Sequence, residues 1–313
     1  MTFLTSLPPL LLIATAAGEV SGDNGRPEPP EAESPAKSAS DTVTARFDLL
    51  PKEEGQFPFN GVSIKTGVLA ISVTVAGAGT VAIIDLSTDR SLVDIGLARQ
   101  QGIEVGEPLD TIEWHGKTHE RRRAHAVEVV LDGQARITSD LSAIDLTRAR
   151  GAAPGSIGYV LGRSALNYVS LLVVLNRDEH FYGLARSGSW KMSSDTAAIA
   201  DLPYADGVVT VEVNGTPLRL FVDFTSRTGI ELVPEGWTKL YGSAETAPLG
   251  VTFGPFTRDV QPRVLFEPPP VENIDGVIGL GFIDGFALVL DGPQETARIM
   301  GTAMPSAPEA PAD

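Results

Sequence analysis

The run Leu69-Ala70-Ile71-Ser72-Val73-Thr74-Val75, then Ala76-Gly77-Ala78-Gly79, then Thr80-Val81-Ala82-Ile83-Ile84-Asp85, decides the architecture. β-Branched residues on both sides of a Gly-rich break predict a β-hairpin that turns at Ala76–Gly79 and ends in an aspartate. Arg90-Ser91-Leu92-Val93 follows, and then a helix from Asp94 to Gln101, with Asp94 placed to cap it and Gly102 to stop it. The same order returns in the second half of the chain. Gly207-Val208-Val209-Thr210-Val211-Glu212-Val213 meets Asn214-Gly215, a two-residue hairpin turn, and Leu218-Arg219-Leu220-Phe221-Val222 leads to Asp223. Two hydroxyl residues follow each aspartate within three positions, in Asp85-Leu86-Ser87-Thr88 and Asp223-Phe224-Thr225-Ser226.

Further on, Gly158-Tyr159-Val160-Leu161-Gly162 and Gly276-Val277-Ile278-Gly279 form a second matched pair. Each runs into a hydrophobic strand, Leu171 to Leu175 and Phe286 to Leu290. The repetition in order predicts an all-β body with short helices, built from two copies of one unit at 46–186 and 203–301 and joined by a linker at 187–202.

Composition narrows the chemistry. The chain has 313 residues, 42% of them hydrophobic, which is enough for an ordinary core and excludes wholesale disorder. A net charge of −16 repels phosphate backbones, so nucleic acid is not an expected partner. With no cysteine there are no disulfides, thiolate metal sites or cysteine nucleophiles. Neither a metal nor an organic cofactor is expected. Met1 to Ala17 is apolar and ends in Ala14-Thr15-Ala16-Ala17, the small-residue pattern of a cleaved secretory leader. Pro8-Pro9 interrupts the run, which is too short to span a bilayer, so an exported, periplasmic or extracellular protein without stable membrane insertion is expected. The Pro/Glu/Ser-rich stretch 18–45 and the Pro/Ala tail 302–313 have compositions that cannot bury enough surface to order themselves.

Several other signals reduce to structure. Gly77-Ala78-Gly79-Thr80-Val81-Ala82 has the letters of a dinucleotide fingerprint, but that fingerprint opens a helix and Thr80–Ile84 reads as a strand. His115 and His119 are four apart near a predicted turn at Trp114–Lys117, with no third ligand in view, and are read as solvated. Arg121-Arg122-Arg123 is expected to pair with local acids. No G-x-S-x-G elbow and no Walker loop is present.

Two similar units that each end a hairpin in an aspartate can bring the carboxylates side by side. Carboxylates about 3 Å apart share a proton, so one acts as base on a water while the other donates, and at least one is held above the ordinary carboxylate pKa. The sequence resembles the retropepsin-like and pepsin-like aspartic peptidases in a two-lobed, single-chain form. Ile83-Ile84-Asp85 and Phe221-Val222-Asp223 match the family's strand and aspartate, and Val160-Leu161-Gly162 and Val277-Ile278-Gly279 match its hydrophobic-hydrophobic-Gly element. Arg90-Ser91 falls where bacterial members often place an Arg/His-Ser/Thr pair.

The resemblance implies two β-barrel lobes about a pseudo-twofold axis, Asp85 and Asp223 as a catalytic dyad, and a polypeptide substrate or peptide ligand. It also implies that Thr88 and Ser226 hydrogen-bond the carboxylates, that Gly162 and Gly279 pack beneath the aspartate loops, and that a flap around Trp114 and Gly116 covers the cleft. The loops depart from the family's Asp-Thr-Gly. Leu86 and Phe224 replace the threonines that lock the two loops together, and Ser87 and Thr225 bring side chains into the space that glycine leaves open. Two readings follow: an aspartic endopeptidase, or a catalytically degenerate pseudo-peptidase that binds peptides or serves as a scaffold.

The leader carries its own test. N-terminal sequencing of the protein from its native host should find the mature chain starting just after Ala16 or Ala17, and an intact Met1 in a cytoplasmic fraction would overturn the expectation.

Overall fold

Alternating β-branched residues put one face of each strand into a core, and the chain is accordingly mostly strand with a few short helices. The structure is a computed structural model and describes residues 46–50, 60–61, 68–133, 135–149, 157–175, 180–190, 197–248, 250–266 and 268–302. The expectations for the leader, the tether at 18–45 and the tail fall outside them, except that Thr302, expected to open the tail, ends the strand Thr296–Thr302. No helix among the described residues is long and apolar enough to cross a membrane.

The first hairpin pairs Ala70–Val75 with Ala78–Ile84, Val75 standing opposite Ala78. Its turn is therefore two residues, Ala76 and Gly77, rather than the four expected. Both take positive φ, 47° and 85°, which is the turn that matches the twist of the flanking strands. Asn214 and Gly215 do the same at 48° and 77° between Val208–Val213 and Thr216–Asp223. The dinucleotide-like letters lie in this turn and the start of a strand, so no helix N-terminus faces them. As expected, a helix follows at Ile95–Gln100; the Asp94 carboxylate accepts from the Leu97 N–H and also from the Leu146 N–H across the fold.

Six strands close into a barrel: Ala70–Val75, Ala78–Ile84, Ile157–Leu161, Leu92–Asp94, Ala135–Ile144 and Lys117–Leu131, the last pairing back with the first. Among the described residues, Val105–Trp114 hangs on the barrel as an edge strand, paired only with Lys117–Leu131. The described strands of the second half belong to a larger sheet and close no matching barrel.

A shared pattern of pairing is nonetheless present in both halves. Ile84 lies in parallel register with Leu161, and Asp223 with Gly279. The strand after each aspartate runs antiparallel to the glycine-bearing strand, with Leu92 opposite Val160 and Ile230 opposite Ile278. Residues 197–202, expected to lie in a linker, are part of the strand Ala197–Ala205, which pairs along Thr296–Thr302. Alanine-rich, with Ile199 its one β-branched residue and Pro203 near its end, it carries little strand signal until that partner is present. The halves meet where Ser170–Leu175 runs antiparallel to Ala287–Asp291, and one continuous apolar core contains residues of both.

The matched glycines allow close backbone contact. A Cβ on Gly162 would sit 2.6 Å from the Arg90 carbonyl carbon, and one on Gly279 2.6 Å from the Thr228 carbonyl oxygen. These obstacles are backbone and cannot rotate away. Gly162→Ala and Gly279→Ala are therefore expected to cost about 1–3 kcal/mol each, from the overpacking alone, while Gly79→Ala, with nothing near its Cβ, stays near neutral; thermal melts of the three variants check this.

Candidate functional site

Asp85 ends the strand Ala78–Ile84, where its own N–H donates to the Leu161 carbonyl. The turn that follows folds the chain back on the carboxylate: Oδ1 accepts from the Ser87 N–H at 2.9 Å and from the Ser87 hydroxyl at 2.5 Å. The other oxygen is taken by the tip of the hairpin Val105–Trp114/Lys117–Leu131. The Trp114 indole N–H donates to Oδ2 at 2.7 Å, and His115 Nε2 lies 3.1 Å from the same atom. Asp85 has no solvent exposure.

Asp223 is built the same way on one side only. Its Oδ1 accepts from the Thr225 N–H at 2.7 Å and the Thr225 hydroxyl at 2.6 Å. It remains partly open and lines a cleft of about 1320 Å³ with Trp114, His115, Gly116 and Ser226. Each aspartate loop touches the start of the other half's hairpin. The Leu69 N–H donates to the Phe224 carbonyl at 2.9 Å, and Gly207 stands against the Leu86 side chain. Leu86 and Phe224 are fully buried in the core and leave the cleft unobstructed.

The protonation states diverge. Burial opposes ionisation of Asp85, but the hydrogen bond and charge of His115, with Ser87 and Trp114, outweigh it and hold the carboxyl below its ordinary range. Burial likewise opposes the charged imidazole of His115. Its bond to Asp85, with the charges of Asp85 and Asp223, reverses the balance and raises its pKa. For Asp223, burial wins over the two Thr225 bonds, and the Asp85 charge adds to it, so this carboxyl is raised. Asp85 and His115 stand 3.1 Å apart with shifts that favour the carboxylate–imidazolium form, and Asp223 is the acid that keeps a proton more easily.

The remaining expected residues fall close by with altered partners. Thr88 donates its hydroxyl to the Asp85 backbone carbonyl, and the Ser226 hydroxyl pairs with that of Thr228, so neither touches a carboxylate. Ser87 and Thr225, expected to crowd the loops, make that contact instead; each lies two residues past its aspartate, the spacing of a side chain that closes such a turn. Gly162 and Gly279 pack against the segments after the two aspartates. His119 is buried rather than solvated, edge-on to Trp114. His115, also read as solvated, keeps 38% of its side chain exposed but is bound to Asp85. The arginine triplet pairs locally, Arg121 with Asp110, Arg122 with Glu120 and Arg123 with Asp140.

Arg163 went unread in the sequence, yet its guanidinium donates to the Leu86 and Ser87 carbonyls at 3.3 and 3.4 Å and so fixes the first loop. Its one signal was its position directly after Gly162. No group of side chains able to hold a metal ion occurs among the described residues. In comparison with known proteins, the chain matches no family model and no curated protein.

The divergent protonation states set opposite stability effects. The lowered Asp85 contributes stability above pH ~4, lost as pH falls through its folded value; the raised His115 contributes fully below ~6.5, lost as pH rises through its own. Their pair is worth most between these limits. Asp223, being raised, contributes only while protonated and burdens the fold at neutral pH. Asp85→Asn should lower the melting temperature by roughly 5–10 °C near pH 5.5, whereas Asp223→Asn should raise it at neutral pH, the gain vanishing below ~4; calorimetry across pH checks both signs.

Proposed function

We propose that the chain is an exported, two-lobed hydrolase of the aspartic-peptidase kind, in which Asp85 and Asp223 cleave peptide bonds with an activated water. The observation that carries this reading is the matched pair of aspartates. Each ends a hairpin in parallel register with a glycine-bearing strand, each is held by the N–H and hydroxyl of the residue two positions on, and the charge of one acts on the other.

The central pairing supports two lobes about an axis. Leu172 opposite Val289 and Val173 opposite Leu288 join the outgoing hairpins of the two halves, Ser170–Leu175 with His180–Ala185 and Ala287–Asp291 with Thr296–Thr302. A rotation that exchanges these hairpins carries each of the two pairs onto the other.

The acidities assign the roles. Asp85, ionised, is the base: it takes a proton from water as the oxygen adds to the carbonyl carbon. Asp223, protonated, donates to the carbonyl oxygen; as the tetrahedral adduct collapses, Asp85 gives its proton to the nitrogen, Asp223 takes one back from the adduct's hydroxyl, the C–N bond breaks and the amine leaves. The substrate is a polypeptide extended along the cleft beneath a flap formed by the hairpin that carries Trp114 and Gly116. The hydroxyls of Ser87 and Thr225 anchor the carboxylates that the family's loops anchor differently.

A second reading is a peptide-binding pseudo-peptidase, and one observation favours it: Asp85 does not line the cleft. Cleavage of a mixed peptide library from acid to neutral pH decides between them. The wild type is expected to cleave, and Asp85→Asn or Asp223→Asn to lower the rate by roughly 10²–10⁴. Peptide binding by calorimetry with no cleavage at any pH establishes the second reading.

A further inference from the structure

Asp85 has its full complement of donors: the Ser87 N–H and hydroxyl on one oxygen, the Trp114 indole and His115 imidazole on the other. A carboxylate so occupied, with no exposed surface, has no place for a water or a substrate atom. Asp223 opens into the cleft, and the wall between the cleft and Asp85 is made by Trp114, His115 and Gly116, the tip of a single two-stranded ribbon. His115 and Gly116 form the ribbon's turn, with φ of 48° and 66°, and the outer strand Val105–Trp114 has no further partner strand among the described residues.

The ribbon is held down at two points. The Trp114 ring sits in a small apolar cluster with Ala70, Ile83, Leu92 and Val160, and the imidazole is held by its charge-assisted bond to Asp85. His115 remains partly exposed on the cleft side. Whatever enters the cleft can reach Asp223 directly but meets the imidazole before it meets Asp85.

We propose that the Trp114–His115 tip is a latch that closes the site by occupying Asp85, and that lifting it returns the second oxygen of Asp85 to the cleft beside Asp223. This rests on the hydrolase reading for its consequence but not for its physics, since the closed contact exists whether or not the site cleaves. In the closed form Asp85 cannot act as base, so the resting protein is inactive. A peptide lying in the cleft opens it by competing for His115 and by taking up the surface that the tip vacates. No bond is made or broken in this step, and the His115–Asp85 ion pair is exchanged for the contact with the peptide.

The test reads opening and cleavage separately, in the full chain. The indole N–H of Trp114 donates to Asp85, while those of Trp190 and Trp237 donate to the backbone carbonyls of Ser170 and Ala244. Exchange of the three indole protons with deuterated water, followed by NMR, measures release of the tip against two internal references. His115→Ala is expected to speed exchange at Trp114 about tenfold relative to Trp190 and to raise cleavage of the peptide library by a similar factor. His115→Gln, which keeps a donor at the corresponding reach, should restore the slow exchange. Should His115→Ala not fold, the wild type itself decides: Trp114 must exchange faster than Trp190, because it opens without global unfolding.

Exchange at Trp114 that follows Trp190 in every variant overturns the latch and leaves Trp114 a core residue. Loss of cleavage in His115→Ala with unchanged exchange also overturns it, and makes the imidazole part of the chemistry. Faster exchange with no cleavage by any variant upholds the latch and sinks the hydrolase reading alone.

Discussion

A carboxylate without exposure to water is the constraint around which this molecule is arranged. Burying an isolated charge is so unfavourable that the group must either keep its proton or be surrounded by donors. Asp85 takes the second course. Its four contacts come from two separate parts of the chain, the turn that carries it and the hairpin tip thirty residues on. To bring the tip there, the long hairpin has to fold back over the barrel, and to hold the turn there Arg163 has to reach two of its carbonyls. Asp223 shows the alternative. With only Thr225 to satisfy it, burial and its neighbour's charge make the proton worth keeping.

The two aspartates thus differ although their local sequences are alike. The asymmetry originates in what reaches each aspartate from elsewhere in the chain, Trp114 and His115 for Asp85, since each loop contributes the same N–H and hydroxyl. A long ribbon reaches Asp85, whereas the short hairpin in the other half, Val251–Phe253 with Phe256–Arg258, is three residues on each side and pairs with Val213 instead. Two like turns therefore carry one acid held below and one held above the ordinary carboxylate range.

What the sequence disclosed was whatever short-range chemistry determines. Asn214-Gly215 names its own turn, Asp94 its own helix start, and the glycines before Arg163 and Leu280 announce backbone contacts that no side chain would permit. The hydroxyls of Ser87 and Thr225 were visible but misjudged: set against a glycine they look like obstruction, and only the φ and ψ of the turn direct them onto the carboxylate. The contacts of Trp114 and His115 with Asp85 were not legible, because about thirty residues separate them and nothing but the curl of the ribbon brings them together. The strand Ala197–Ala205 was hidden for the same reason, since its stabilisation comes from Thr296–Thr302, about a hundred residues away.

That last pairing bears on how the protein is made. The C-terminal strand Thr296–Thr302 lies between Ala197–Ala205 and Ala287–Asp291, and Ala287–Asp291 in turn pairs with Ser170–Leu175 from the first half. Every one of these ladders except the hairpin itself closes a loop of about a hundred residues, and loop-closure entropy is spent before such contacts return anything. Until Thr296–Thr302 has been made, Ala197–Ala205 lacks its partner along that edge, whereas the six-stranded barrel already has all of its strands. The barrel can therefore close first and the large sheet afterwards, so the two parts of this fold come into being at different moments.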